Sequence, residues 1–297
     1  MSVELPWRSV ALDLLARQGQ AVDRHVPGVL EDQDPEHLHA LRVALRRTCH
    51  ALRLFAPVLG RSRAILLRRR LNATRRALGP LRELDVSIPL VRERLTELGC
   101  TPGAAVPVLS QLMIKRVLCR HEAYVHLLDT RLQADVELLG RPEAWPERRR
   151  HERALPDTAL ELAWELARPL HRLRKAGPHT FDVQEWHAIR IRVKRLRDAL
   201  DALEPRLPAN VLEAREPLKV LQGRLGRLED LVNRVALLRQ LAAEGGLPKP
   251  AQQALRALIR LDQQERSDTL RDLEALWTEH RRLWASLRPA AAEGEEA

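Results

Sequence analysis

Apolar residues recur along almost the whole chain at the i, i+3, i+4, i+7 spacing of a helix face, and prolines and glycines break the run at intervals. The pattern predicts helices at about 7–31, 35–57, 61–78, 81–98 and 104–139. Their ends are marked by Asp34-Pro35, by Pro57 and Gly60, by Gly79-Pro80, by Gly99 and by Gly140. The Pro- and charge-rich stretch GRPEAWPERRRHERALPD (140–157) interrupts the periodicity and reads as a linker. Helices are expected again at about 157–176, 182–204, 208–225, 227–244 and 250–288. The closing AAAEGEEA has no apolar face and is expected to be disordered. The expected organisation is a first helical-bundle half (1–140), a linker (141–156), a second half (157–289) and a tail (290–297), with short loops making neighbouring helices antiparallel.

The second half repeats the first. HLHALRVALRR (37–47) is echoed by EWHAIRIRVKR (185–195), which aligns His39 with His187, Arg42 with Arg190 and Arg46 with Lys194 at a shift of 148. RRALGPLRELD (75–85) matches QGRLGRLEDLV (222–232) at a shift of 147. Two separated matches at nearly one offset point to an internal duplication.

At about 100° per residue, His39, Arg42, Arg46, His50 and Arg53 fall in one narrow stripe that borders the apolar face of Leu38, Leu41, Leu45, Leu52 and Phe55. His187, Arg190, Lys194 and Arg197 repeat it beside Ile189, Val193, Leu196 and Leu200. Like charges at these spacings destabilise an isolated helix. A same-sign stripe beside the core, built twice, therefore suggests a groove that waits for a counter-charge. Arginine offers forked donors that match phosphate oxygens, lysine a point charge, and histidine a donor from either ring nitrogen.

Composition sharpens this picture. Hydrophobic residues make up 45% of the 297, enough for a sizeable core, while aromatics are 3% and Leu, Ala, Arg and Glu dominate; that bias favours an all-α fold. Lys and Arg number 50 against 40 Asp and Glu, a formal charge of +10 that predicts attraction to polyanions without naming one. Cys49, Cys100 and Cys119 are an odd set with no C-x-x-C pair, as expected in a reducing cytosol. MSVELPWRSV lacks the features of a signal peptide, and no stretch reads as a membrane span, so a cytoplasmic location is expected.

The two stripes and the segments after them resemble the CHAD family, the conserved-histidine α-helical domains. His39, Arg42, Val43, Arg46 and Arg47, followed by Leu78, Gly79, Arg82, Glu83, Asp85 and Val86, match H-x-x-R-V-x-x-R-R and L-G-x-x-R-[DE]-x-D-V. The second arm is His187, Arg190, Lys194, Arg195 and Arg197, then Leu221, Gln222, Leu225, Gly226 and Asp230, so the resemblance spans essentially the whole chain. It implies two pseudo-symmetric antiparallel bundles around a basic central cavity, binding of inorganic polyphosphate without catalysis, and association with polyphosphate granules and their proteins. His39, Arg42, Arg46, His187, Arg190 and Lys194 would line the cavity, with Arg47, Arg82, Arg195 and Arg197 beside them and Lys219 added from the helix before Gly226. Two positions depart from the family pattern: Glu83 replaces the usual aspartate, and Asp198 follows Arg197 where an aromatic is common.

Other chemistry is less well supported. Glu83, Asp85, Glu229 and Asp230 could hold Mg²⁺, but acids in a helix's first turn also suit the dipole or orient arginines, and neither a metal nor a cofactor is expected. The histidines of HEAYVH (121–126) lie five apart and cannot share a metal as an i, i+4 pair would. Arg68–Arg70 and Arg148–Arg150 read as solvated runs that could flank the groove, and the six tryptophans as packing. A nucleic-acid-binding helical protein is the alternative supported by charge alone, since no recognition motif accompanies it. A phosphohydrolase or its accessory is the third reading. The E-x-E-x-K strand of the triphosphatase domain fused to some family members does not occur here, and no nucleophile–base pair stands out.

Overall fold

The computed structural model describes residues 7–145, 155, 156, 158–173, 181–279 and 287. Much of the expected linker, Arg148–Arg150, Trp284 and the tail lie outside the described residues. Among the described residues the fold is all-helical: α1 (Trp7–Leu30), α2 (Pro35–Leu54), α3 (Ala56–Leu59), α4 (Arg61–Ala77), α5 (Gly79–Glu97), α6 (Pro102–Asp129), α7 (Leu132–Leu139), α8 (Ala159–Leu173), α9 (Val183–Leu203), α10 (Ala209–Leu212), α11 (Arg215–Glu244) and α12 (Lys249–Glu279).

Three boundaries differ from the sequence reading. The helix expected over 35–57 ends at Leu54, and Pro57 falls inside the short α3 instead of marking that end, because Pro57 sits in the first turn of α3, where its missing N–H costs no helical bond. The helix expected over 104–139 breaks at Thr130-Arg131, where neither Pro nor Gly stands. Tertiary packing makes that break: α7 lies against α1, with the Leu139 side chain close over Gly19. The buried Asp135 of α7 also pairs with Arg70 of α4. Conversely, the two helices expected at 208–225 and 227–244 are largely one, α11. The equivalent stretch of the first half is split at Leu78, because Pro80 brings no N–H to the helical ladder; the second half has Arg227 where the repeat places that proline.

Both hydrophobic clusters draw on both halves of the chain. One joins Leu15, Leu41, Leu45, Leu52 and Phe55 to Trp186, Ile189, Leu196, Leu218 and Trp277. The other joins Leu84, Ile88 and Leu95 of α5 and Leu112 of α6 to Leu238 and Leu241 of α11 and Leu258 of α12. Each such buried leucine is worth about 1.5–3 kcal/mol relative to exposure. Phe181, Trp186 and Trp277 meet edge to face with centroids 5.2 to 6.0 Å apart, so these aromatics pack the core.

Candidate functional site

The stripe helices α2 and α9 begin alike. The Asp34 carboxylate accepts from the Glu36 N–H at 2.8 Å, and the Asp182 carboxylate from the Glu185 N–H at 2.8 Å. The Glu185 carboxylate accepts in return from the Asp182 N–H, completing a capping box. Each cap stands five residues before its stripe histidine, so the two stripes leave their caps at the same angle. α2 and α9 touch each other, and their basic stripes open onto one space.

That space is a cavity of about 810 Å³ between α2, α4, α5, α9 and α11. His39, Arg42, Arg46, Arg82, His187, Arg190, Lys194 and Arg195, all named from sequence, line it. His39 and His187 are exposed, one on each stripe, while Arg42, Arg46, Arg190 and Lys194 are half-buried further along. The wall holds eleven Arg and Lys side chains against three carboxylates, Glu83, Glu229 and Asp230.

Electrostatic strain follows from this excess. Burial and the neighbouring Arg75, Arg82 and Arg46 push the Arg42 guanidinium down to about 10. Burial, Arg190 and Arg46 push the Lys194 ammonium down to about 7, although Asp198 and Asp230 partly hold it up. Burial and then Arg82 lower His39. Among the described residues no carboxylate lies within ion-pair distance of Arg42, Arg190, Lys194 or Arg195. Arg190 Nε and Arg195 Nε are buried without a hydrogen-bond partner. A buried donor left unpaired costs about 1–3 kcal/mol, so a bound anion would recover free energy here.

Asp198, one of the two residues that depart from the family pattern, lines a smaller cavity next to α8 and holds two side chains of the central wall, Arg46 and His50. Its carboxylate accepts from Arg46 Nε and Nη2 at 3.2 and 3.3 Å and lies 2.6 Å from His50 Nδ1. Burial alone would raise this carboxyl; the hydrogen bonds from His50 and Arg46, with their charge, outweigh burial and hold it at about 2. Positions 50 and 198 lie 148 residues apart, the offset that relates the two stripes, so equivalent positions meet each other as across a two-fold axis.

Three expected residues stand elsewhere. Arg47 turns to Asp198 and Asp201 and lines a second cavity of about 450 Å³ between α1, α2, α8 and α9. Arg197 is half-buried on α9 and does not line the central cavity. Lys219 is exposed, 3.4 Å from Glu216, in a shallow groove along α11 that shares Gly226, Asp230 and Arg234 with the cavity. The structure adds Arg75, Arg76 and Arg234 to the wall, and of the run Arg68–Arg70 weighed as flanking the groove it brings Arg68 to the wall. Arg68 and Arg75 of α4 are seven residues apart, a spacing legible in the sequence; Arg234, held by Asp262 at 2.7 Å through two hydrogen bonds, carried no such signal.

Two of the four acids weighed as a cation site are engaged with bases. Arg116 donates to Asp85 at 2.7 Å, and His187 lies 2.7 Å from Glu229. Burial and carboxylate neighbours raise Glu83, while burial raises Asp230 despite Arg190 and Lys194. The three cysteines are unpaired. Among the described residues, no helix is long and apolar enough to cross a membrane.

The family model for the CHAD domain matches residues 13–239. The fold is similar to the crystal structure of the CHAD domain from the plant Ricinus communis, with TM-score 0.72 and 23% identity, covering 93% of this chain and 94% of that one. It is also similar to PptA from Streptomyces chartreusis, with TM-score 0.72 and 18% identity, covering 91% and 98%. No curated protein sequence matches the chain.

Proposed function

This chain belongs to the CHAD domain family, and from that premise we propose that its central cavity binds inorganic polyphosphate without catalysis and carries the protein to polyphosphate granules. The observation that carries the reading is the row of Arg42, Arg190 and Lys194, half-buried, crowded by like charge and without carboxylate partners among the described residues. Arginine forks suit successive phosphate groups, and low-dielectric walls strengthen each contact. A linear polyanion threads such a space and neutralises several cations at once. The shallow groove past Gly226 and Lys219 gives the chain a way to continue beyond the cavity.

A cavity of about 810 Å³ is sized for a ligand enclosed between helices, whereas a duplex needs an open basic face with an element to enter a groove. This favours polyphosphate over nucleic acid. The non-catalytic reading is supported by two of the acids in and beside the cavity, Glu229 and Asp85, which His187 and Arg116 engage.

The test is calorimetric titration with long-chain polyphosphate at two salt concentrations, with duplex DNA and tripolyphosphate as competitors. If about six phosphates are neutralised, affinity should fall about 10³-fold between 50 and 200 mM salt, by analogy with nucleic acid. Arg42→Ala with Arg190→Ala should weaken binding at least tenfold while leaving the unfolding temperature unchanged or raised. Displacement by DNA as readily as by polyphosphate, or wild-type binding by the double variant, refutes the assignment. Release of phosphate during incubation refutes its non-catalytic part.

A further inference from the structure

We infer that the outer face of α6 joins two copies of this chain into an antiparallel helix-paired dimer. The inner face of α6 is committed: Val108 and Leu112 are buried, Arg116 binds Asp85 and Asp32, and Arg120 binds Asp32. The opposite face carries eight exposed apolar side chains between Val106 and Leu128, each 41% to 60% exposed. They lie within an arc of about 140° that contains no Lys, Arg, Asp or Glu from 103 to 128. The seven from Met113 to Leu128, which the pairing covers, expose roughly 700 Å², more than the largest apolar patch of a typical monomer and close to one partner's share of a standard interface.

The spacing fits a second copy of the same helix. Ile114, Val117, His121, Tyr124 and Leu128 follow one another at alternating steps of three and four, the seam that lets two helices interlock. A two-fold axis through His121 sets Ile114 opposite the partner's Leu128, Val117 opposite the partner's Val125 and Leu118 opposite the partner's Tyr124. These three pairs are apolar on both sides and flank His121, which meets its own copy on the axis, so the face is self-matching as a two-fold interface requires. No α6 residue lines the central cavity, so pairing leaves both cavities open.

Sedimentation equilibrium of the full chain at micromolar concentration tests the dimer. The expected mass is twice the 33.9 kDa of one chain. Val117→Glu with Leu128→Glu should give a monomer with unchanged far-UV circular dichroism, both positions being solvent-exposed. His121→Cys should form an intermolecular disulfide under mild oxidation, whereas wild type, with Cys119 on the far side of the helix, should not. A monomeric wild type, or a dimer that persists in the double glutamate variant, overturns the inference. A monomer that floats with lipid vesicles overturns it too and reassigns the face to a membrane surface. One consequence rests on the polyphosphate reading as well: the dimer would hold a long chain at two sites, roughly 10²- to 10⁴-fold more tightly than the monomeric variant. Equal affinities for a short chain locate any failure of that consequence in the pairing; loss of all binding locates it in the cavity.

Discussion

Replacing Lys194 by arginine isolates the proton that polyphosphate binding should take up. In the free protein, burial and the cations Arg190 and Arg46 hold the Lys194 ammonium at about 7. At pH 8 roughly nine in ten Lys194 side chains are then neutral, and at pH 7 about half. A phosphate chain in the cavity supplies the missing counter-charge and returns the group towards its ordinary value near 10.4. Binding at pH 8 should therefore take up close to one proton at this site, and affinity should fall by up to about tenfold per pH unit above 7. Stability of the unliganded protein runs the other way. With the folded value depressed, the unfolded chain binds more protons between about pH 7 and 10, so stability from this group rises with pH across that window. The assay is titration calorimetry at pH 8 in two buffers of different ionisation enthalpy. Arginine keeps its charge throughout, so Lys194→Arg should bind with about one proton less uptake and a flatter pH profile. His39, also depressed by burial and Arg82, contributes to wild type and variant alike and cancels in the difference. Equal proton uptake by wild type and Lys194→Arg refutes the reasoning.

Further outcomes follow from the same geometry. Asp198→Asn leaves Arg46, Arg47 and His50 without their anion and should cost roughly 2–4 kcal/mol in urea unfolding. Because Asp198 is held at about 2, its contribution is present above about pH 4 and lost as pH falls towards 2, so acid unfolding should be less steep in the variant. Arg234→Ala strands the buried Asp262 and should destabilise by about 3–5 kcal/mol, read by the same denaturant series. Gly28→Ala drives a methyl into the His37 ring where α1 meets α2, and should lower the unfolding midpoint by the equivalent of about 1–3 kcal/mol.

Periodicity and repeat offset were properties of the sequence alone. The helical period and the offset of 148 put His39, Arg42 and Arg46 on the same face as His187, Arg190 and Lys194, so the two stripes could be read from letters. The all-helical class followed from residues that lose little freedom in a helix. Tertiary structure decided what local propensity cannot encode. Only packing of α7 against α1, with Asp135 held by Arg70, breaks the chain at Thr130, where no helix terminator stands. Spacing gave no ground for separating Arg47 from Arg195, which the repeat makes equivalent; Asp198 and Asp201 draw the first aside, while the second stays on the cavity wall. The depressed Lys194 also required assembly, because its value depends on burial and on Arg46 from the other half, 148 residues away in the sequence. Helices are set by neighbours along the chain, whereas a field is set by whatever the fold brings near, and here that is two stripes facing one cavity.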